Sequence, residues 1–226
     1  MNETPLFTDR ADAGRRLAGH LGAYAARDDV VVLALPRGGV PVGFHVARAL
    51  GAPLDVLVVR KLGVPGYREL AMGAIAAGVR VLEHETVRAH AIPPWVIERE
   101  AAREHAELLR REAMYRGGLP PLDVRGKTVI VVDDGIATGA SARAAAAALR
   151  ALNPARIVVA APVAAPGSMA PVAAVADEVV CLATPPGFRA VAPFYRAFPQ
   201  TTDDEVRALL HAARARTPAP VAAHAL

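Results

Sequence analysis

The sequence contains one cysteine, few aromatic residues and almost no lysine. Cys181 is the single cysteine among 226 residues, so no disulfide can form within the chain. We interpret Cys181, in the apolar run DEVVCLA, as a buried thiol, which favours a reducing, cytoplasmic location. Of the 26 Lys and Arg residues only Lys61 and Lys127 are lysines, and we attribute this bias to composition before function.

Charge of one sign is not concentrated anywhere in the chain. The formal net charge is +4, but the basic residues are interspersed with acids. Proteins that bind nucleic acid through its backbone usually carry a basic cluster, so we do not expect a nucleic-acid partner.

We also expect no segment that directs the chain into a membrane or out of the cell. The N-terminal MNETPLFTDR has no apolar core of the kind that signal peptides have, so we expect no export. The uncharged run from Ile157 to Ala176 approaches the length of a membrane span. Because Pro162, Pro166 and Pro171 interrupt it, and an interior proline costs a helix about 3 kcal/mol, we expect no membrane partner.

Apolar runs of strand length alternate with amphipathic segments along most of the chain, and 53% of residues are hydrophobic. This alternation predicts an α/β fold: a Rossmann-like open, mainly parallel sheet with helices on both faces. We predict one domain over residues 1–215 and a flexible tail over 216–226. The predicted strands are 29–36, 53–61, two short strands within 74–83, 128–132, 156–161 and 178–182. The predicted helices are 12–27, 40–50, 93–115, 139–152, 168–175 and 202–215.

Two segments show no sustained period. Residues 62–73 contain Gly63, Pro65 and Gly66, which predicts a loop. Residues 184–198 are irregular and hold a large share of the aromatic side chains.

The stretch KTVIVVDDGIATGAS ends an apolar strand with two adjacent carboxylates. In open parallel sheets, ligands bind beyond the carboxyl ends of the strands. Small residues and a helix start after Asp133 and Asp134, so backbone N–H groups and the hydroxyls of Thr138 and Ser141 can receive a phosphate there. Paired acids beside an anion suit sugar hydroxyls or a divalent cation. An ordinary strand ending in a capped turn is the structural alternative.

The stretch VIVVDDGIATGAS resembles the phosphoribosyl-pyrophosphate (PRPP) binding motif of type I phosphoribosyltransferases. The resemblance implies that Asp133 and Asp134 contact the ribose hydroxyls and, directly or through water, Mg²⁺. It implies further that the turn cradles the 5′-phosphate through Ala137, Thr138, Gly139, Ala140 and Ser141.

The stretch LPRGGVPVG resembles the pyrophosphate loop of the same family, which often contains a non-proline cis peptide. Arg37, Gly38 and Gly39 are its candidate residues, and the alternative is an ordinary strand-to-helix turn. A nucleotide-binding P-loop is excluded because Phe44 and His45 stand where Lys and Ser/Thr are required.

Three further features follow from the resemblance. Lys61 matches the position whose cation reaches the pyrophosphate. Residues 62–73 match the flexible loop that closes over the site. Residues 184–198 match the hood that holds the base, where Phe188 or Tyr195 would stack on a ring or pack the hood onto the core.

The resemblance implies a Mg²⁺-dependent enzyme that transfers ribose 5-phosphate from PRPP to a nitrogenous, nucleobase-like acceptor. The catalytic candidates are Arg37, Lys61, Asp133 and Asp134. The 6-oxopurine enzymes carry an acid at the position of Ala137, so hypoxanthine and guanine are disfavoured. A PRPP-binding regulator without essential transfer is the alternative function, and a homodimer is left open.

Overall fold

A computed structural model describes residues 5–215 of the chain. The helices are α1 (Arg10–His20), α2 (Gly39–Leu50), α3 (His84–Ala89), α4 (Pro94–Arg116), α5 (Ala140–Arg150), α6 (Pro166–Ala173) and α7 (Asp203–Arg214). The strands are β1 (Val30–Ala34), β2 (Leu54–Val56), β3 (Val59–Val64), β4 (Tyr67–Ala76), β5 (Val79–Leu82), β6 (Thr128–Val132), β7 (Arg156–Val163) and β8 (Glu178–Ala183). The predicted tail, 216–226, lies outside the described residues.

The main sheet has five strands in the order β2-β1-β6-β7-β8, and every neighbouring pair is parallel. Alternate side chains of each central strand enter two different cores. In β1, Val30 and Val32 join the core beneath α1, α2, α4 and α7, whereas Val31 and Leu33 join the core beneath α5 and α6. Both faces are therefore covered, which explains why these strands are apolar throughout. The predicted fold class is confirmed.

The prediction of one strand over residues 53–61 is wrong. The chain leaves the main sheet after Val56, and β3 begins at Val59 in a second, antiparallel sheet of order β3-β4-β5. The apolar run is continuous because Val56, Leu57 and Val58, where the chain changes sheets, are all buried. Its composition therefore does not mark that point.

The prediction that residues 62–73 form an irregular loop is also wrong. These residues belong to β3 and β4 and to the turn between them, where Gly66 has φ +83°. The register shifts around Gly63, a bulge that hides the alternation of apolar residues. Leu62 and Met72 are fully buried, so the antiparallel sheet β3-β4-β5, which we call the β-arm, packs against the rest of the domain.

Apart from the first helix, which was wrongly extended to residue 27, the predicted helix boundaries lie within two residues of those observed, and α3 was not predicted. α7 begins after Thr202, whose hydroxyl accepts a hydrogen bond from the Glu205 N–H at 3.1 Å, as its N-cap position predicts. In the first helix, however, the cap is Asp9, and regular helix ends at His20. Among residues 5–215, no helix combines the length and apolar character that crossing a membrane requires.

Candidate active site

The candidate site lies where β1 and β6 end side by side. Ala34 pairs with Val132, and the Leu35 N–H donates to the Val132 carbonyl at 2.8 Å. Parallel pairing brings the residues after both strands to one edge of the sheet. Residues 35–39 therefore meet the acid pair, which we define as Asp133 and Asp134.

Two glycines allow this close approach. A β-carbon on Gly38 would lie 2.0 Å from Oδ2 of Asp134. A β-carbon on Gly39 would lie 2.6 Å from the Val132 carbonyl oxygen and 3.0 Å from Cα of Asp133. The peptide bond between Pro36 and Arg37 is cis, a feature that the family resemblance implies for this loop. Larger residues would separate the two segments.

The two carboxylates of the acid pair influence each other. Oδ1 of Asp133 accepts a hydrogen bond from the Asp134 N–H at 2.9 Å. Burial and the neighbouring charge of Asp134 raise the pKa of Asp133 well above its usual range. Burial also raises the pKa of Asp134, and the charge of Arg10 opposes that rise. The site therefore concentrates negative charge in a poorly hydrated place.

Sequence reasoning missed Arg10. Its Nε and Nη2 atoms both lie 2.8 Å from Oδ2 of Asp134. An N-cap signal is readable at Asp9, which accepts from the Asp12 N–H and places Arg10 at the start of α1. No local pattern connects Arg10 with a carboxylate 124 positions later, so only the tertiary structure identifies the pair.

The segment around Phe7 is bound to the hood, a contact that sequence reasoning also missed. The Phe7 N–H donates to the Phe194 carbonyl, and the Arg196 N–H donates to the Phe7 carbonyl. Val191 of the hood packs against Gly135, where a β-carbon would lie 2.5 Å from its side chain. The hood is therefore fixed both to the segment around Phe7 and to the loop that follows the acid pair.

Tyr195 has a packing role in this structure. It is 4% exposed, its ring packs against Phe7 and Phe198, and its hydroxyl donates to the Asp134 carbonyl at 2.6 Å. These contacts are those of the packing alternative, and stacking of Tyr195 on a base stays an untested prediction. Phe188 is half-buried and stacks on Phe194 with ring centroids 5.4 Å apart.

The turn over residues 137–141 is open to solvent at its start. Ala137 and Thr138 are exposed, and Oγ1 of Thr138 accepts from the Ala140 N–H at 3.3 Å. Gly139 has φ +74°, and a β-carbon there would lie 2.9 Å from Val172. Both the backbone conformation and the lack of space therefore require glycine at this position. Because α5 starts at Ala140, the N–H groups of its first turn, including that of Ser141, have no partner within the helix.

The two predicted cations are not gathered at the acid pair. Nη1 of Arg37 lies 4.0 Å from Oδ1 of Asp203, at the start of α7. Lys61 is exposed within β3, where it pairs with Ala74, and does not end a strand of the main sheet. Among the side chains that the structure describes, its ammonium group has no hydrogen-bond or ion-pair partner. Neither cation is bound to the acid pair, and their role toward an anion stays a prediction.

Among the described residues, no cluster of three or more His, Cys, Asp or Glu side chains is placed to hold a metal ion. The acid pair supplies two carboxylate groups. This number suits Mg²⁺, which typically takes one or two carboxylates and completes its shell with water and substrate phosphates. The donor set therefore fits a metal that is held jointly with a ligand.

Comparison with known proteins agrees with this geometry. The family described as phosphoribosyl transferase domain matches residues 7–197, and the chain belongs to that family. A protein found in two strains of Mycobacterium tuberculosis, named as a candidate phosphoribosyl transferase, is 50% identical over 206 residues. That match covers 91% of this chain and 46% of the relative, so the chain spans about half the length of that protein.

A crystal structure of a protein from Thermus thermophilus has the same fold. Its sequence is 44% identical, and the alignment covers 90% of this chain and 97% of that chain with a TM-score of 0.82. The fold is therefore that of the type I phosphoribosyltransferases, as the motif predicts.

Proposed function

We propose that this chain transfers ribose 5-phosphate from PRPP to a nitrogen of a small aromatic acceptor and releases pyrophosphate. The observation that carries the proposal is the contact of Gly38 and Gly39 with the acid pair. It joins the candidate pyrophosphate loop to the candidate ribose site at one sheet edge.

The 5′-phosphate would occupy the turn over residues 137–141. N–H groups without a partner inside α5 and the positive end of the α5 dipole favour an anion there, by about 0.3–2 kcal/mol for the dipole alone. The hydroxyls of Thr138 and Ser141 supply further donors. Since Ala137 and Thr138 are exposed, a phosphate reaches the turn without moving the core.

The ribose would lie against the acid pair. Ionised carboxylates only accept hydrogen bonds, and vicinal hydroxyls are donors of matching number. Asp133 and Asp134 follow one another, so their carboxylates lie at the sugar end of the phosphate turn. This arrangement explains why the strand ends in two adjacent acids despite their mutual repulsion.

The pyrophosphate would bind to the backbone of residues 37–39, with Arg37 and Lys61 as cations. Transfer would require little covalent chemistry from the protein, because rate follows from positioning and from stabilising charge on the leaving group. Bound Mg²⁺ would supply additional positive charge to the pyrophosphate oxygens. The acid pair fits the metal's preference for oxygen ligands.

The acceptor would bind between the hood and the acid pair. Phe188 is half-buried, with Phe194 stacked on its ring, and it remains the hood aromatic for stacking on a base. Ala137 offers no carboxylate for the exchangeable N–H groups of a 6-oxopurine, which favours another aromatic acceptor.

Two measurements test the proposal with the purified chain. Calorimetric titration with PRPP and Mg²⁺ should show saturable 1:1 binding. Ribose 5-phosphate alone should bind much more weakly. Pyrophosphate release should then be followed over adenine, uracil, orotate, hypoxanthine and guanine. Turnover on one base supports the transferase, whereas binding with no turnover on any base favours a PRPP-binding regulator. Absence of PRPP binding would overturn both functions.

A further inference from the structure

Arg10 is held in place by three groups at the boundary of the hood and the acid pair. Two of its nitrogens bind Oδ2 of Asp134, each at 2.8 Å. Its Nη1 donates to the Pro199 carbonyl at 2.6 Å, and the guanidinium lies 3.7 Å from the centre of the Phe198 ring. The side chain therefore cannot turn away from Asp134 without losing its contacts with residues 198–199.

Burial distinguishes this ion pair from the surface pairs of the chain. The Arg10 side chain is 11% exposed and that of Asp134 is 15% exposed. On α1 itself, Arg15 is 55% exposed and lies 3.9 Å from Asp12. Surface pairs contribute little because water screens them, whereas a buried carboxylate that loses its partner is strongly disfavoured.

Arg10 is also the counter-charge of the acid pair. Among the side chains that the structure describes, it alone forms an ion pair with Asp134, and Asp133 forms none. Two adjacent carboxylates thus share one positive neighbour. The guanidinium engages Oδ2 of Asp134 and leaves Oδ1 of the same group for a ligand.

We propose that Arg10 is a positioning residue that neutralises the acid pair and fixes Asp134 for its ligand, through contacts that the hood holds in place. The ligand is the vicinal diol of a phosphorylated sugar, so this part rests on the proposed function. The role as counter-charge is independent of it, since it concerns the protein without ligand.

A double-mutant cycle tests positioning. PRPP affinity is measured in the presence of Mg²⁺ for the wild type, Arg10→Gln, Asp134→Asn and the double variant. Each single change should weaken binding about tenfold or more, as loss of a charged hydrogen bond does. If Arg10 acts through Asp134, the double variant should bind no worse than Asp134→Asn alone. The proposal would be overturned if Arg10→Gln weakened PRPP binding by the same factor in the Asp134→Asn background as in the wild type.

Two other variants separate positioning from folding. Arg10→Lys keeps the charge but loses the planar guanidinium, so this variant should bind PRPP with an affinity between those of the wild type and Arg10→Gln. In the Asp134→Asn background, Arg10→Lys should not change PRPP affinity. Arg15→Gln removes the same charge from the same helix and should bind as the wild type. Wild-type affinity for Arg10→Gln, or intermediate loss for Arg15→Gln, would contradict the assignment.

Mn²⁺ binding without PRPP tests the counter-charge. Arg10→Gln should bind Mn²⁺ about tenfold more tightly than the wild type, because the acid pair then lacks its cation. The gain should vanish in the double variant with Asp134→Asn. Unchanged Mn²⁺ affinity would refute the role of Arg10. Failure of the wild type to bind PRPP, with the Mn²⁺ gain present, would instead refute only the proposed function and the ligand assigned to Asp134.

Discussion

The Cα atom of Gly38 lies so close to Asp134 that a β-carbon there would come within 2.0 Å of Oδ2. Oδ2 is also the atom that receives both Arg10 nitrogens at 2.8 Å. One carboxylate oxygen is thus enclosed between the loop after β1 and the start of α1. Any side chain at position 38 must displace Asp134, Arg10 or the loop.

Gly38→Ala should therefore damage the site more than the fold. We expect PRPP affinity to fall about tenfold or more, since the carboxylate loses its position and its charged partner. Isothermal titration with PRPP and Mg²⁺ measures this loss. Gly19→Ala, on α1 with no atom near its added β-carbon, is the matched control and should leave PRPP affinity unchanged. Equal affinity of Gly38→Ala and the wild type would contradict the site.

Thr138→Val should weaken PRPP binding through the 5′-phosphate. The valine keeps the shape of the side chain and removes the hydroxyl, which costs about 1–1.5 kcal/mol for one hydrogen bond, or about tenfold in affinity. Thr138→Ser keeps the hydroxyl and should bind nearly as the wild type. Measuring the affinity of Thr138→Val for both PRPP and ribose 5-phosphate checks that the 5′-phosphate is the group affected. The two ligands share that phosphate, so the variant should bind both more weakly.

The two lysines form a natural pair of test and control. Lys61 is exposed on the β-arm, whereas Lys127 precedes Thr128, at the end of β6 opposite the acid pair. Lys61→Gln should slow pyrophosphate release by about ten- to hundredfold, because a charged contact with the leaving group is lost. Lys127→Gln should not change the rate. Similar rates for the two variants would remove Lys61 from the catalytic group.

Asp133→Asn should stabilise the ligand-free protein while it weakens PRPP binding. Burial and the charge of Asp134 raise the pKa of Asp133, so its ionised form costs the native state stability at neutral pH. A gain of about 1 kcal/mol would raise the melting temperature by about 2–4 °C. Asp123→Asn, at an exposed site, should leave the melting temperature unchanged.

The same gain should depend on pH with a defined sign. For an acid with a raised native pKa, the native state binds more protons than the unfolded state between the unfolded pKa, about 3.9, and the raised value. The stability lost to the charge is therefore complete above the raised pKa and disappears as pH falls from that value to the unfolded pKa. The difference in melting temperature between Asp133→Asn and the wild type should shrink from pH 8 to pH 5. A constant difference would contradict the pKa shift.

Local patterns predicted the main sheet well but failed at the β-arm. The strand over Thr128–Val132 was predicted with its observed bounds because it is short, apolar after Thr128 and bounded by charged residues. The prediction failed for the β-arm because the turn at Gly66 and the bulge near Gly63 interrupt the alternation of apolar residues, as a loop would. Periodicity identifies a strand only where its pairing is regular.

The candidate site was likewise predictable only in part. The acid pair, the phosphate turn and the glycines after β1 lie in two short stretches of sequence, and family resemblance identifies them together. Roles for Arg37, Lys61 and Phe188 stay predictions, since no ligand contact tests them. Tyr195 was selected as an aromatic residue, yet its hydroxyl binds the Asp134 backbone and its ring is buried.

The sequence by itself determined the α/β class, the parallel core and the motif that places this chain among the phosphoribosyltransferases. These properties depend on contacts close along the chain: the period of apolar residues, helix caps and small residues at turns. Only the tertiary structure decided that Arg10 lies against Asp134 and that residues 6–8 bind the hood. Such pairs depend on how distant segments pack, and burial makes the pairing strong without leaving a local pattern.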